Sequence, residues 1–115
     1  ALAETEDRLI LPVPAENSRP SWFGFLITCM EGVDRNKLVQ EIESRGVQTR
    51  MLFAGNLTKH PCFDQMRASG KGYRIAGSLE NTDRIMKDTF WIGVYPGMTD
   101  EMLQAMADAI KDALN

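Results

Sequence analysis

Residues Thr89–Pro96 read TFWIGVYP, a run in which Phe90, Ile92 and Val94 alternate with Trp91, Gly93 and Tyr95. A period of two in β-branched and aromatic residues predicts a strand, with the two sets on opposite faces. Helical signals flank it. Upstream, TDRIMKD (residues 82–88) predicts a short helix that Asn81 or Thr82 would cap. Downstream, Thr99 precedes Asp100 and Glu101, a cap followed by acidic residues suited to a helix N-terminus. Leu103, Met106, Ala107, Ile110 and Leu114 then form the apolar stripe of that helix.

The same logic extends toward the N-terminus. WFGFLIT, Trp22–Thr28, predicts a strand buried on both faces. Asp34 caps a helix carrying Leu38, Val39 and Ile42 on one side, and Gly46 stops it. VQTRMLF, residues 47–53, alternates, with Val47, Thr49, Met51 and Phe53 set against Gln48, Arg50 and Leu52. Ala54–Ser78 is a long glycine-rich connection with a helical turn expected around Phe63–Arg67, and connections of this length are often functional. The order is β-α-β, a long loop, then α-β-α. It predicts an α+β fold in which helices pack on one face of a three-stranded sheet. The other face, bearing tryptophan and phenylalanine, needs cover.

Residues 1–21 hold three of the five prolines, with Leu9-Ile10-Leu11 as the only apolar cluster, and read as an inter-domain arm or linker. Residues 22–115 read as the domain proper. At 115 residues and 43% hydrophobic content, one domain with a modest core is expected. A net charge of −3 argues against a nucleic-acid partner. The absence of a long apolar run and of a signal peptide argues against a membrane and for the cytoplasm. Cys29 and Cys62 read as two buried thiols, with no metal site and no disulfide framework. In that compartment the sequon at Asn56-Leu57-Thr58 has no consequence.

Candidate chemistry concentrates in TRMLFAGNLTKHPCF, Thr49–Phe63, which holds the only histidine and one of the cysteines. His60 has the pKa range of a general base, but it stands without a recognisable nucleophile or orienting partner. SGKG, Ser69–Gly72, departs from a phosphate loop twice: Gln65 replaces the first glycine, and Gly72 the hydroxyl residue after the lysine. Arg50, Asn56 and Arg84 are better candidates. Guanidinium forks match phosphate oxygens, and turns after strands often carry ligand contacts. The alternative for the arginines is capping of carbonyls or pairing with carboxylates.

PSWFGF, TRMLFAGNLTKHPCF and NTDRIMKDTFWIGVYPGMT, quoted in chain order, closely resemble the carboxy-terminal part of the CDP-4-keto-6-deoxyglucose 3-dehydratases. These enzymes of lipopolysaccharide O-antigen deoxysugar biosynthesis fall within the DegT/DnrJ/StrS sugar-aminotransferase family. The similarity runs in one register from about Pro20 to Leu114. It implies the small C-terminal domain of an aspartate-aminotransferase (fold type I, PLP-dependent) fold. It also implies a partner in the form of a missing large domain that holds pyridoxamine or pyridoxal phosphate, and in some members an iron–sulfur cluster. The parent would be a homodimeric lyase, in some cases served by a reductase, and this chain alone would bind no cofactor and be inactive. None of its lysines stands in a cofactor-lysine context, so no residue here is catalytic, cofactor-binding or metal-binding. The resemblance assigns Phe23, Arg50, Asn56 and Arg84 to the nucleotide-sugar pocket, Phe23 as an aromatic wall. A PLP-dependent aminotransferase and a non-enzymatic binding or assembly module remain as alternatives.

Overall fold

The computed structural model describes all 115 residues. Four strands form one antiparallel sheet: β1 (Leu9–Ile10), β2 (Gly24–Cys29), β3 (Thr49–Met51) and β4 (Thr89–Gly93), in the spatial order β1-β2-β4-β3. Four helices accompany it: α1 (Arg35–Ser44), α2 (Asp64–Ser69), α3 (Glu80–Asp88) and α4 (Asp100–Leu114).

The register sorts the sheet into two faces. Phe25 stands opposite Ile92, Ile27 opposite Phe90, Leu9 opposite Cys29, and Thr49 opposite Ile92 from the other side. Directly opposed residues in antiparallel strands share a face. This set packs with Leu38, Val39 and Ile42 of α1 and Ala107 and Ile110 of α4 into a single core. Ile27, Ile42, Phe90 and Ile110 are wholly enclosed there, and burying a side chain of this kind contributes about 1.5–3 kcal/mol. The opposite face carries Leu26, Thr28, Arg50 and Trp91. Here β2 departs from the expected two-sided burial: Ile27 and Cys29 are buried, whereas Leu26 and Thr28 are only half-buried.

The caps follow the local chemistry. Asp34 Oδ1 accepts from the N–H groups of Asn36 (2.9 Å) and Lys37 (3.2 Å), and Thr99 Oγ1 accepts from Met102 N–H. Gly46 closes α1 at φ +84°, a conformation open to glycine. For α3 the expected cap is corrected. The helix begins at Glu80, so Asn81 and Thr82 lie inside it, and Ser78 Oγ accepts from Glu80 N–H instead.

The larger correction concerns the first 21 residues. The sheet has four strands rather than three, because Leu9–Ile10 pairs with β2. Leu2, Thr5 and Leu9 are buried, Glu4 forms an ion pair with Lys111 (2.7 Å), and Arg8 donates to the Leu114 carbonyl. Ala1–Leu11 is therefore part of this domain. The prolines that suggested an arm lie beyond it, in the largely exposed stretch 12–21.

Candidate functional site

Because Arg50 and Trp91 are cross-strand partners, both project from the sheet face opposite the core. Trp91 lies flat over Gly24, where a Cβ would stand 2.5 Å from the indole Cε3, so the position admits only glycine. Phe23, one residue before β2, reaches back to Trp91 with ring centroids 5.5 Å apart and planes tilted by 43°. Such tilted aromatic pairs are favourable, yet Phe23 remains 81% exposed. An aromatic ring this open is held for something else to cover.

Phe23, Arg50 and Trp91 line a groove of about 640 Å³, with Gln48 and Tyr95 along its walls and Met106 of α4 at one end. Arg45 and Arg50 supply two cations, and no carboxylate lines the groove. Arg45 is engaged by Glu41 at 2.7 Å. Arg50 has no carboxylate partner; it donates only to the carbonyl of its neighbour Thr49 (2.8 Å). In a protein of net charge −3, this is a locally positive, aromatic-walled concavity. It suits an anionic ligand with an apolar or planar part.

The four expected site residues do not converge. Phe23 and Arg50 share this groove, and Arg84 and Asn56 lie elsewhere. Arg84 lines a separate concavity between α3 and the β2–α1 connection, where Arg35 and Lys87 are balanced by Glu31, Asp34 and Asp88. Asn56 is 3% exposed, and its polar atoms serve the fold. Its Oδ1 accepts from Thr58 N–H (3.0 Å) and Thr58 Oγ1 (2.6 Å), while its Nδ2 donates to Asp83 Oδ1 (2.6 Å). Lys59 Nζ reaches the other Asp83 oxygen at 2.8 Å. The Lys59 ammonium first, then the Asn56 amide, hold the Asp83 carboxyl below its usual range.

This network fixes the turn that follows β3. Gly55 rests on Met86 of α3, and His60 Nε2 meets the Ala54 carbonyl. The histidine is thus a loop tether, as its isolation in sequence suggests. At Phe53 the expected alternation breaks. β3 ends at Met51, and Phe53 adopts φ +45° with its ring 83% exposed. For an aromatic residue that backbone conformation is costly. Arg67 of α2 ties down the connection further, bonding the Thr58 and His60 carbonyls. Of the two thiols expected to be buried, one is. Cys29 is buried, which with nearby Asp88 raises its pKa to about 11, whereas Cys62 is exposed.

Trp91, Gln48 and Tyr95 were not among the expected site residues. The signal for two of them was the alternation itself, which sets Trp91 and Tyr95 against the core residues Phe90 and Ile92. Gln48 carries no comparable mark.

No lysine lines the groove; Lys59 is held by Asp83 and Lys111 by Glu4.

Residues 1–111 match the DegT/DnrJ/EryC1/StrS aminotransferase family. The chain is 48% identical over 106 residues to the dTDP-4-dehydro-2,6-dideoxy-D-glucose 3-dehydratase of Saccharopolyspora spinosa, covering 90% of this chain and 22% of that protein. It is 47% identical to the lipopolysaccharide biosynthesis protein RfbH of Salmonella typhimurium, covering 90% and 23%. The chain thus spans under a quarter of the length of these relatives. Among solved structures, a GDP-4-keto-6-deoxymannose-3-dehydratase with bound GDP-perosamine superposes with a TM-score of 0.73 at 22% identity, over 95% of this chain and 28% of that one. The aminotransferase TlmJ from Streptoalloteichus hindustanus gives 0.73 at 18% identity, over 97% and 28%. These likenesses bear out the expected small-domain fold of type I PLP enzymes. With nearly its whole length in register, the chain belongs to the DegT/DnrJ/EryC1/StrS aminotransferase family.

Proposed function

We propose that this chain is the small domain of a pyridoxamine-phosphate-dependent 3-dehydratase acting on a nucleotide-linked 4-keto-6-deoxyhexose in deoxysugar biosynthesis. The observation that carries the reading is the 48% identity to a sugar 3-dehydratase across 90% of the chain. In this reading a large domain of the same polypeptide supplies the cofactor cradle. The aromatic sheet face closes toward that domain.

The cofactor, when bound there, supplies the electron sink that lets the C-3 hydroxyl leave. The residues of this chain bind and orient. Arg50, in no salt-bridge contact although Glu43 lies within its Coulombic reach, presents a guanidinium fork to a phosphate or sugar oxygen. Phe23 and Trp91 provide a wall for the apolar face of the sugar or for the base, and their closure excludes water. Asn56 acts by holding the turn after β3 in shape, and Arg84 stands apart, in a concavity that Glu31, Asp34 and Asp88 share.

The reaction itself is the test. The polypeptide encoded through the upstream reading frame is incubated with pyridoxamine phosphate and a CDP-, dTDP- or GDP-linked 4-keto-6-deoxyhexose, and loss of the sugar's C-3 hydroxyl is followed. Turnover by that polypeptide and none by the 115-residue chain is expected. Amino transfer to C-4 from an amino-acid donor, with the C-3 hydroxyl retained, would establish the aminotransferase reading instead. The similarity in fold to TlmJ favours that as the second reading.

A further inference from the structure

β3 is a terminal strand of the sheet, paired with β4 on one side only. The bonds at Thr49 fix which backbone groups face the open side. Its N–H and its carbonyl both meet side chains, so Thr49 turns outward. In an antiparallel strand Met51, two residues on, turns the same way. Arg50 between them faces β4, opposite Trp91. A row of bare N–H and C=O groups along such an edge is a template for another strand.

That row is covered from within the chain. Thr49 N–H donates to Glu43 Oε1 at 3.3 Å, and Thr49 Oγ1 donates to the same oxygen at 2.6 Å. Arg50 Nη1 donates to the Thr49 carbonyl at 2.8 Å. Phe53 N–H donates to the Met51 carbonyl at 2.8 Å, an approach that its φ of +45° brings about. Of the outward groups only the Met51 N–H is left, too little for a ladder. Core packing demands none of these partners, since Glu43, Arg50 and Phe53 are all exposed. The Glu43 side chain makes no hydrogen bonds except those to Thr49. An exposed carboxylate aimed at the first residue of a terminal strand serves that edge.

We infer that Glu43, Arg50 and the turn at Phe53 seal the free edge of β3 against strand addition by a second copy of this chain. A second copy is the partner to exclude because antiparallel pairing of β3 with itself is self-complementary: each edge offers the groups the other lacks. The inference stands apart from the reaction proposed above. Arg50 has a second station in the ligand groove, so Glu43 is the part of the seal whose one role is the edge.

Three forms of the 115-residue chain test it: the parent, Glu43→Ala and Glu43→Gln. Alanine suits an exposed helical position, and glutamine keeps an accepting oxygen without the charge. Each is followed by sedimentation and by amide hydrogen exchange, in dilute and in concentrated solution. In the parent, the Thr49 amide is expected to exchange slowly and the Met51 amide quickly at both concentrations. In Glu43→Ala, Thr49 exchange in dilute solution should rise about ten-fold or more. On concentration that variant should dimerise, with the Thr49 and Met51 amides protected together. Glu43→Gln should follow the parent. An alanine variant that associates no more than the parent overturns the inference. So does association that leaves Thr49 and Met51 unprotected, which would place the contact on another face. A glutamine variant that behaves as the alanine one overturns it too. Should the alanine variant fail to fold, the parent decides by itself. A Thr49 amide that exchanges as fast as Met51 overturns the seal, and one slower by about ten-fold or more supports it.

Discussion

Asn56 Nδ2 donates to Asp83 Oδ1 at 2.6 Å, joining the turn after β3 to α3 across 27 residues of chain. The longest connection of the fold is thereby anchored at its first bend. Replacing Asn56 by Ala removes three hydrogen bonds from a buried position. At about 0.5–1.5 kcal/mol net for each, a loss of about 2–3 kcal/mol is expected. Urea denaturation should show a lower midpoint at unchanged slope, and an unchanged midpoint would mean the turn is held by Gly55 and Met86 alone.

The second prediction concerns acid. Thr49, through its hydroxyl first and its N–H second, holds the Glu43 carboxyl below its usual range, and Lys59 and Asn56 do the same for Asp83. The unfolded chain therefore binds more protons than the folded one between the depressed and the ordinary values. Stability from these groups is complete above roughly pH 5, where unfolded carboxylates are ionised. It is lost as pH falls through the folded-state values. The Glu43→Gln, Asp83→Asn double variant should show a shallower decline of denaturation midpoint below roughly pH 5 than the parent. Parallel curves would refute the assignment.

Arg50 separates binding from folding. Its guanidinium makes one hydrogen bond, to an adjacent carbonyl, so Arg50→Met should change domain stability by less than about 0.5 kcal/mol. A charged hydrogen bond to substrate is worth about 1.5–3 kcal/mol, so kcat/KM of the longer enzyme should fall roughly 10- to 150-fold. Strong destabilisation of the domain with intact kinetics would make Arg50 a structural residue.

Phe53 offers a gain. Relief of a left-handed backbone in an L-residue is worth about 1–2 kcal/mol, against about 0.5–1 kcal/mol of added glycine entropy. Phe53→Gly gives up little burial, since the ring is 83% exposed. A net stabilisation of up to about 1 kcal/mol in thermal denaturation is therefore expected. A clear loss would show that the exposed ring packs against the domain in solution.

These cases also show where sequence reading succeeds. Periodicity identified β2, β4 and α4, and cap chemistry placed α1, because each signal is local and repeated. The strand at Leu9–Ile10 escaped notice because two residues carry no period; only the pairing of Leu9 with Cys29 creates it. Arg50 suggested ligand chemistry by its type and Phe23 through the family resemblance alone, and the structure sets both on one groove. Asn56 and Arg84 suggested the same chemistry by type, but tertiary placement sends one inward to Asp83 and the other to a different concavity. Residue type announces capability, and only the fold assigns the partner.

The order of the sheet has a consequence for how the protein is made. β4 lies between β2 and β3, although it follows both in the chain, and Gly24 must wait for Gly93. During synthesis β2 and β3 emerge without the strand that joins them, and α4, which seals the core, comes last of all. Assembly that depends on such distant pairings is slow and leaves apolar edges open meanwhile. A nascent chain stalled before Thr89 would expose Phe25 and Ile27 to its neighbours on the ribosome, and chaperone dependence should be decided there, before the domain has a fold to defend.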